Sequence, residues 1–215
     1  MCLLGVRTAT PSYSVIPASS SPSFVSQINS FGLTDVGVSA APSFADIDGD
    51  GDLDAFVGEA SGSFVFFRNT GTALAPSFIS QANNFGLFKE PNFVRPAFAD
   101  IDADGDLDAF VGSGDGTPLF FRNVGTANAP SFVKQSTNLG LTSAGPSATP
   151  SFADLDGDGD LDSVIGKDNG ETLYFRNIGN ATNPNFSAVG TNVFGLSVSG
   201  NRYTQPAFAD LDGDG

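Results

Sequence analysis

The sequence predicts an all-β fold made of repeated blades, each with four antiparallel strands. Three observations predict it: a repeat of 54–56 residues, four short apolar runs per repeat, and no helical hydrophobic period over ten or more positions. Four strands in a repeat of this length are typical of a β-propeller blade, because solenoid repeats are usually shorter. A β-sandwich is the alternative, but it does not account for sequence markers that recur in phase.

Three markers define the repeat. The segment PSFADIDGDGDLDAFVG begins at Pro42, and related segments begin at Pro96, Pro150 and Pro206. The tetrapeptide FFRN or YFRN begins at 66, 120 and 174, and Phe-Gly-Leu or Leu-Gly-Leu begins at 31, 85, 139 and 194. We therefore place repeats at about 22–75, 76–129, 130–183 and 184–215, the last one truncated, after a flexible leader at 1–21.

The number of repeats corresponds to about three and a half blades. A closed ring typically needs 4–8 blades, and the last repeat stops inside its aspartate run. We therefore expect an incomplete propeller, or a fragment of a longer array. An open arc is the alternative, and its unprotected strand edges would favour self-association.

The second repeat illustrates the predicted strands. Apolar runs rich in Phe and Val, each bounded by turn residues, predict strands at 76–80, 95–101, 108–112 and 118–123. The segment GDGT at 114–117 predicts a hairpin, because glycine adopts positive φ without strain.

Composition excludes several classes of function. The net charge is −15, but eighteen of the 24 acidic residues lie in the four aspartate runs. The rest of the chain has six acidic residues and nine Lys and Arg, which give it a net charge of +3. The sequence has no basic patch that could bind nucleic acid. Histidine is absent, which excludes Ser-His-Asp triads and the usual zinc sites. No apolar run is long enough to span a membrane, and the first 22 residues lack a convincing signal peptide.

The aspartate runs predict calcium loops. Carboxylates stand at positions one, three, five, seven and nine, and glycine at position six permits a sharp turn. Such crowding is tolerable with a cation, and Ca²⁺ takes six to eight oxygen ligands. The predicted ligands are Asp46, Asp48, Asp50, Asp52 and Asp54; Asp100, Asp102, Asp104, Asp106 and Asp108; Asp154, Asp156, Asp158, Asp160 and Asp162; and, in a truncated fourth loop, Asp210, Asp212 and Asp214.

These loops differ from EF-hands and from typical magnesium sites. Position twelve is Val57, Val111 or Ile165, and the flanking segments are predicted strands, so the loops are not EF-hands. Mg²⁺ prefers stricter octahedral geometry with several waters, which favours calcium. Solvated turns rich in Asp and Gly, without any metal, are the remaining alternative.

These loops, the Phe-Gly marker and the period resemble the FG-GAP and VCBS-type repeats over about residues 22–215. That resemblance implies a β-propeller like that of integrin α subunits and of bacterial surface and secreted proteins. It also implies that each calcium loop joins the first two strands of a blade. Rings of this family commonly have seven blades.

Other recurrent residues were assigned structural roles. We expect Arg68, Arg122 and Arg176 to hold the next turn from a strand end, with the following Asn in the left-handed conformation; a ring of ligand-facing guanidiniums is the alternative. Phe pairs such as Phe66-Phe67 and Phe120-Phe121 are expected in an inter-blade core. The segments 87–95, 141–148 and 196–204 differ most between repeats and are candidate recognition loops.

The sequence favours a non-enzymatic, calcium-binding module for extracellular adhesion or for binding a protein or glycan. A spacer array in a large surface protein and a secreted polysaccharide-degrading enzyme are the alternatives. An enzyme would need carboxylates outside the calcium loops. The six available acids are Asp35, Glu59, Glu90, Asp115, Asp168 and Glu171.

Overall fold

The computed structural model describes residues 31–198 and 203–208, which contain three antiparallel sheets of four strands and no helix. The leader at 1–21 and the fourth aspartate run lie outside the described residues. The strands are β1 (Ala41–Ala45), β2 (Asp54–Gly58), β3 (Phe64–Asn69), β4 (Phe78–Gln81), β5 (Arg95–Ala99), β6 (Asp108–Gly112), β7 (Leu119–Asn123), β8 (Phe132–Lys134), β9 (Thr149–Ala153), β10 (Asp162–Gly166), β11 (Thr172–Asn177) and β12 (Phe186–Thr191). The predicted all-β class is confirmed.

Each sheet is a meander in which strands pair in chain order. The sheets are β1-β2-β3-β4, β5-β6-β7-β8 and β9-β10-β11-β12. Strand β5 contacts β1 on one side and β9 on the other, so the first strands of the sheets lie next to one another. Among the described residues the sheets are blades that do not close into a ring, which confirms the incomplete propeller.

The boundaries of the sheets differ from the boundaries of the predicted sequence repeats. Strand β4 lies within the repeat 76–129 but completes the first sheet by pairing with β3. In the same way β8 lies within 130–183 and pairs with β7, and β12 lies within 184–215 and pairs with β11. Among the described residues, the repeats 76–129 and 130–183 therefore each contribute strands to two adjacent blades.

The four predicted strands of the second repeat are confirmed with small differences in their bounds. Strand β5 ends at Ala99, because Asp100 and Ile101 belong to the aspartate loop that follows. The predicted hairpin at 114–117 joins β6 to β7. There Gly116 has φ +87° and its N–H donates to the Ser113 carbonyl at 3.0 Å. The Asp115 carboxylate accepts the N–H of Thr117 at 3.0 Å, so local turn chemistry fixes this connection.

The core lies between the sheets. The second strand of each sheet (β2, β6, β10) is buried along its whole length. One cluster of buried side chains joins the first two sheets, and another joins the second and third. The Phe56 ring in β2 packs on Phe66 at 4.7 Å and on Phe98 of the next sheet at 5.2 Å. Phe66, Phe120 and Phe121 are buried in these clusters, which confirms the inter-blade core for them. Phe67 is buried in a third cluster, with Ala55 and Phe78 of its own sheet.

The Phe-Gly marker ties adjacent blades together. Phe85 and Gly86 both have left-handed φ, at +51° and +99°. The Phe85 carbonyl accepts the N–H of Phe132, at the start of β8, at 2.7 Å, while its ring packs on Phe56 and Phe66 of the preceding sheet. A Cβ on Gly86 would lie 2.3 Å from the Phe132 carbonyl oxygen, so no other residue fits here without distortion. The marker recurs with the same contacts at Phe31-Gly32 against Phe78 and at Leu139-Gly140 against Phe186.

Within the described residues, no helix is long and apolar enough to cross a membrane.

Candidate metal centre

Each complete aspartate run forms the loop between the first two strands of a sheet. The first loop follows β1, which ends at Ala45, and leads into β2, which begins at Asp54. The Asp46 carboxylate accepts the N–H groups of Asp50 at 3.1 Å and Gly51 at 3.0 Å. Gly51 has φ +93°, so the glycine at position six allows the turn that these bonds stabilise. The placement implied by the family resemblance is confirmed.

The fold brings together the first three aspartates of each loop. In each of the three loops that the structure describes, one oxygen from each of the three carboxylates lies within 4.8 Å of the others. Such proximity of like charges is unfavourable unless positive charge balances it. The three groups are Asp46, Asp48 and Asp50; Asp100, Asp102 and Asp104; and Asp154, Asp156 and Asp158.

The first two loops also contain buried carboxylate oxygens that have no hydrogen-bond partner among the described residues. In the first loop they are Oδ1 of Asp48, Oδ1 of Asp52 and Oδ2 of Asp54, and in the second loop the same atoms of Asp102, Asp106 and Asp108. Buried polar atoms normally have partners, and hard cations bind carboxylate oxygen. The residues present therefore fit a divalent cation.

The ninth residue of each loop is anchored to the third strand. Asp54 is 1% exposed, and its Oδ1 accepts the N–H of Asn69 at 2.7 Å. Burial raises the pKa of Asp54 to about 6, and that of the equivalent Asp108 to about 7. Burial therefore disfavours the ionised form of these carboxylates, and a bound cation would favour it.

The recurrent arginines contact the aspartate loops. Arg68 Nη2 lies 2.6 Å from Asp48 Oδ2 and 3.4 Å from Asp50 Oδ2. The pairs are repeated by Arg122 with Asp102 and Asp104 and by Arg176 with Asp156 and Asp158. Our expectation that the arginine holds the next turn is wrong. The guanidinium reaches back about twenty residues because β3 brings its end beside the loop that precedes β2.

The asparagine after each arginine holds the turn instead. Asn69 Oδ1 accepts the N–H groups of Gly71 at 3.0 Å and Ser77 at 2.9 Å. Asn69, Asn123 and Asn177 are absent from the residues with positive φ, so the predicted left-handed conformation is wrong. The residue stays in the strand, and its side chain accepts both turn amides.

The third loop differs from the first two at its ninth residue. Tyr174 replaces the phenylalanine found at 66 and 120, and its hydroxyl donates to Asp162 Oδ2 at 2.8 Å. The corresponding oxygens of Asp54 and Asp108 have no partner. Burial and the hydrogen bond to Asp162 raise the pKa of Tyr174, so the hydroxyl stays protonated as a donor.

Comparison with known families agrees with this geometry. A model of the FG-GAP-like repeat matches residues 46–111, 100–165 and 154–215. The chain belongs to the FG-GAP-like repeat family. Each match of the FG-GAP-like repeat begins at the first aspartate of a loop, so successive matches overlap in the shared loop and strand that follow.

Other comparisons add little. No curated protein matches the sequence. Among solved structures, a chain of the Tc holotoxin pore from Photorhabdus luminescens is similar, with 17% identity and a TM-score of 0.39. The match covers 76% of this FG-GAP-like chain and 7% of the toxin chain, so it supports no conclusion about activity.

One contact between blades was not predicted from the sequence. Asn128 Nδ2 donates to the backbone carbonyls of Asp48 at 3.3 Å and Gly49 at 3.2 Å, so the second blade contacts the first aspartate loop. No sequence signal announces a contact between residues eighty positions apart. The predicted ligands Asp210, Asp212 and Asp214 lie outside the described residues.

Proposed function

We propose that each of the three described loops binds one Ca²⁺ ion and that the chain is a non-enzymatic, calcium-stabilised repeat module. One observation carries the proposal. Three carboxylates whose oxygens lie within 4.8 Å of one another recur in three sheets. In the first two loops, the third, seventh and ninth residues each have a buried carboxylate oxygen without a partner.

Hydrogen bonds and ion pairs within the chain hold the proposed ligands in position without a cation. In the first loop, Asp46 fixes the turn through two backbone amides, and Arg68 neutralises part of the charge on Asp48 and Asp50. Asp54 connects the loop to β3 through the Asn69 amide. When bound, calcium would supply the positive charge that offsets the repulsion among the carboxylates. Metal binding would thereby be coupled to the stability of the first three strands of each blade.

Calcium titration with a matched variant tests this proposal. Isothermal titration calorimetry should detect about three equivalents of Ca²⁺, and EDTA should lower the melting temperature. For dissociation constants of about 10⁻⁴–10⁻³ M, 10 mM calcium would stabilise the fold by about 1–3 kcal/mol per site. Asp48→Asn should remove one equivalent, whereas Asp168→Asn, with the same charge change in the β10–β11 turn, should remove none. Three equivalents retained in Asp48→Asn, or no uptake by the unaltered chain, would overturn the proposal.

The proposed role is outside the cell, in adhesion or in binding a protein or glycan. Oxygen-rich loops of modest affinity suit extracellular calcium, whereas sensor sites in the cytosol bind more tightly. The resemblance to adhesion propellers supports the same setting. A glycan-array screen with and without EDTA tests calcium-dependent binding to sugars.

Several acids outside the loops are engaged in structural contacts, which supports a non-enzymatic role. The carboxylates of Glu59, Asp115 and Glu171 accept hydrogen bonds within the turns that join β2–β3, β6–β7 and β10–β11. Glu90 is buried and pairs with Lys134 at 2.7 Å. We expect no release of reducing sugar from mixed polysaccharides, and measurable release would contradict this part of the proposal.

A further inference from the structure

Arg95 is a buried arginine that forms no ion pair with another described residue. It is the first residue of β5 and is only 9% exposed. Within the part of the chain that the structure describes, its Nε is buried without a hydrogen-bond partner, and its guanidinium is in none of the ion pairs. Its neighbour is the Tyr203 ring, whose centroid lies 5.8 Å from Arg95 Cζ.

The fold itself does not require this arginine. The residues at the same position of the other sheets are Ala41 and Thr149, and all three pair with a glycine in the same register. In contrast, the scaffold arginines that contact the aspartate loops recur in the three repeats whose loops the structure describes. Arg95 is therefore specific to one blade, and it lies in the divergent segment 87–95.

The position of Arg95 separates it from the aspartate loops. The second loop begins after Ala99, at the far end of β5. Strands rise about 3.3 Å per residue, which places Arg95 and Asp100 roughly 16 Å apart along the chain. The aspartates of its own blade therefore lie at the opposite end of the strand.

A guanidinium whose Nε is buried without a partner, and which has no counter-ion, is unfavourable. Arginine does not relieve this cost by losing its proton at neutral pH. Burial does lower the pKa of Arg95, and the Tyr203 phenol acts in the opposite direction. An anion from outside the chain would satisfy the guanidinium, as paired carboxylates do elsewhere in proteins.

We propose that Arg95, beside Tyr203, is a binding site for the carboxylate group of a small ligand. The planar guanidinium matches a carboxylate with two parallel hydrogen bonds. A single guanidinium balances a singly charged group, whereas a phosphate dianion would bring excess negative charge to a chain of net charge −15. The Tyr203 side chain is 63% exposed, so its hydroxyl is accessible to donate a further hydrogen bond to the ligand. The site does not depend on the calcium loops.

Acetate is the probe, and the Arg95 Nε–H resonance in ¹H–¹⁵N NMR spectra is the readout. Titration of the full chain with sodium acetate, against sodium chloride at equal ionic strength, should shift this resonance saturably with a millimolar dissociation constant. Inorganic phosphate should bind more weakly. Arg95→Thr introduces the residue found at 149, and it should abolish the stabilisation of the melting temperature by acetate. Lys89→Ala removes an exposed cation from the same segment and should retain that stabilisation.

Three results would overturn the proposal: no saturable shift, acetate stabilisation that persists in Arg95→Thr, or phosphate binding as tight as acetate. Repeating the titration in EDTA separates this site from the calcium proposal. Acetate binding without calcium uptake would leave the Arg95 site intact, and calcium uptake without acetate binding would leave the proposed function intact.

Discussion

The Tyr174 hydroxyl donates a 2.8 Å hydrogen bond to Oδ2 of Asp162, the ninth residue of the third aspartate loop. Asp162 Oδ1 accepts the Asn177 amide at 2.7 Å, so both of its carboxylate oxygens have a protein partner. In the first two loops phenylalanine replaces the tyrosine, and the corresponding oxygen is buried without a partner. The three loops are therefore chemically unequal, although their sequences are almost the same.

Tyr174→Phe should strengthen calcium binding at the third loop by up to about tenfold. Without the hydroxyl, Asp162 Oδ2 has no hydrogen-bond donor, and a cation can bind this oxygen without first breaking a hydrogen bond. A tenfold change in affinity corresponds to about 1.4 kcal/mol. Calorimetry in a background that carries Asp48→Asn and Asp102→Asn isolates the third loop. Phe120→Tyr should weaken the second loop in the reverse experiment. Unchanged affinities in both variants would contradict the competition between the hydroxyl and the cation.

The metal-free chain should become less stable between about pH 4 and pH 7. Burial raises the pKa of Asp54 from 3.8 to about 6, so the folded state binds a proton that the unfolded state has released. The stabilisation is fully present below pH 3.8 and is lost as the pH rises through about 6. The shift corresponds to about 3 kcal/mol. Urea unfolding of metal-stripped protein at several pH values measures it.

Two controls accompany that measurement. Saturating calcium should reverse the trend, because cation binding requires ionised carboxylates. Asp54→Asn should flatten part of the slope in the metal-free chain. Hydrogen bonds from Ser61 lower the pKa of Glu59 to about 2. Glu59 therefore makes the folded state more stable as the pH rises, but this effect is confined to pH values below about 4.5. Higher stability of the metal-free chain at pH 7 than at pH 5 would refute the assignment.

Gly86→Ala should destabilise the chain by at least about 3 kcal/mol. The new Cβ would lie 2.3 Å from the Phe132 carbonyl oxygen, in a backbone with φ +99°, and a left-handed alanine alone costs about 1 kcal/mol or somewhat more. Gly195→Ala is the matched control, since it stands at the same marker position with φ +70° and has no atom within 4 Å of its Cβ. Chemical denaturation compares the two variants. Equal losses would show that strain in φ, and not the contact between blades, explains the marker.

Gly49→Ala should be rescued by Asn128→Thr. A Cβ on Gly49 would lie 2.6 Å from Asn128 Nδ2. Gly49→Ala alone should therefore displace the Asn128 side chain and break its hydrogen bonds to the carbonyls of Asp48 and Gly49. The chain already contains the alternative pair, because Ala103 and Thr182 stand 54 residues further on. A double-mutant cycle should give a favourable coupling energy of about 0.5–3 kcal/mol. Gly157→Ala has no neighbour within 4 Å and should show no coupling to Asn128.

Local features of this protein followed from the sequence alone, while partners across blades did not. The hairpin at Ser113–Thr117 and the turn at Gly51 depend on residues a few positions apart, so spacing and glycine placement were sufficient to predict them. The same holds for the strands, whose apolar runs are bounded by turn residues. The alternating aspartates likewise predicted the grouping of three carboxylates, because a tight loop brings alternate side chains together.

The tertiary structure decided which groups meet those carboxylates. Arg68 is on β3, and only the pairing of β3 with β2 places its guanidinium on Asp48. Tyr174 reaches Asp162, and Asn128 reaches the loop of the preceding blade, through contacts that no local spacing encodes. The isolation of Arg95 also became visible only when the surrounding chain was in place. Neighbouring residues determine the short-range backbone geometry. Burial and charge pairing depend instead on contacts between residues that are distant in the sequence.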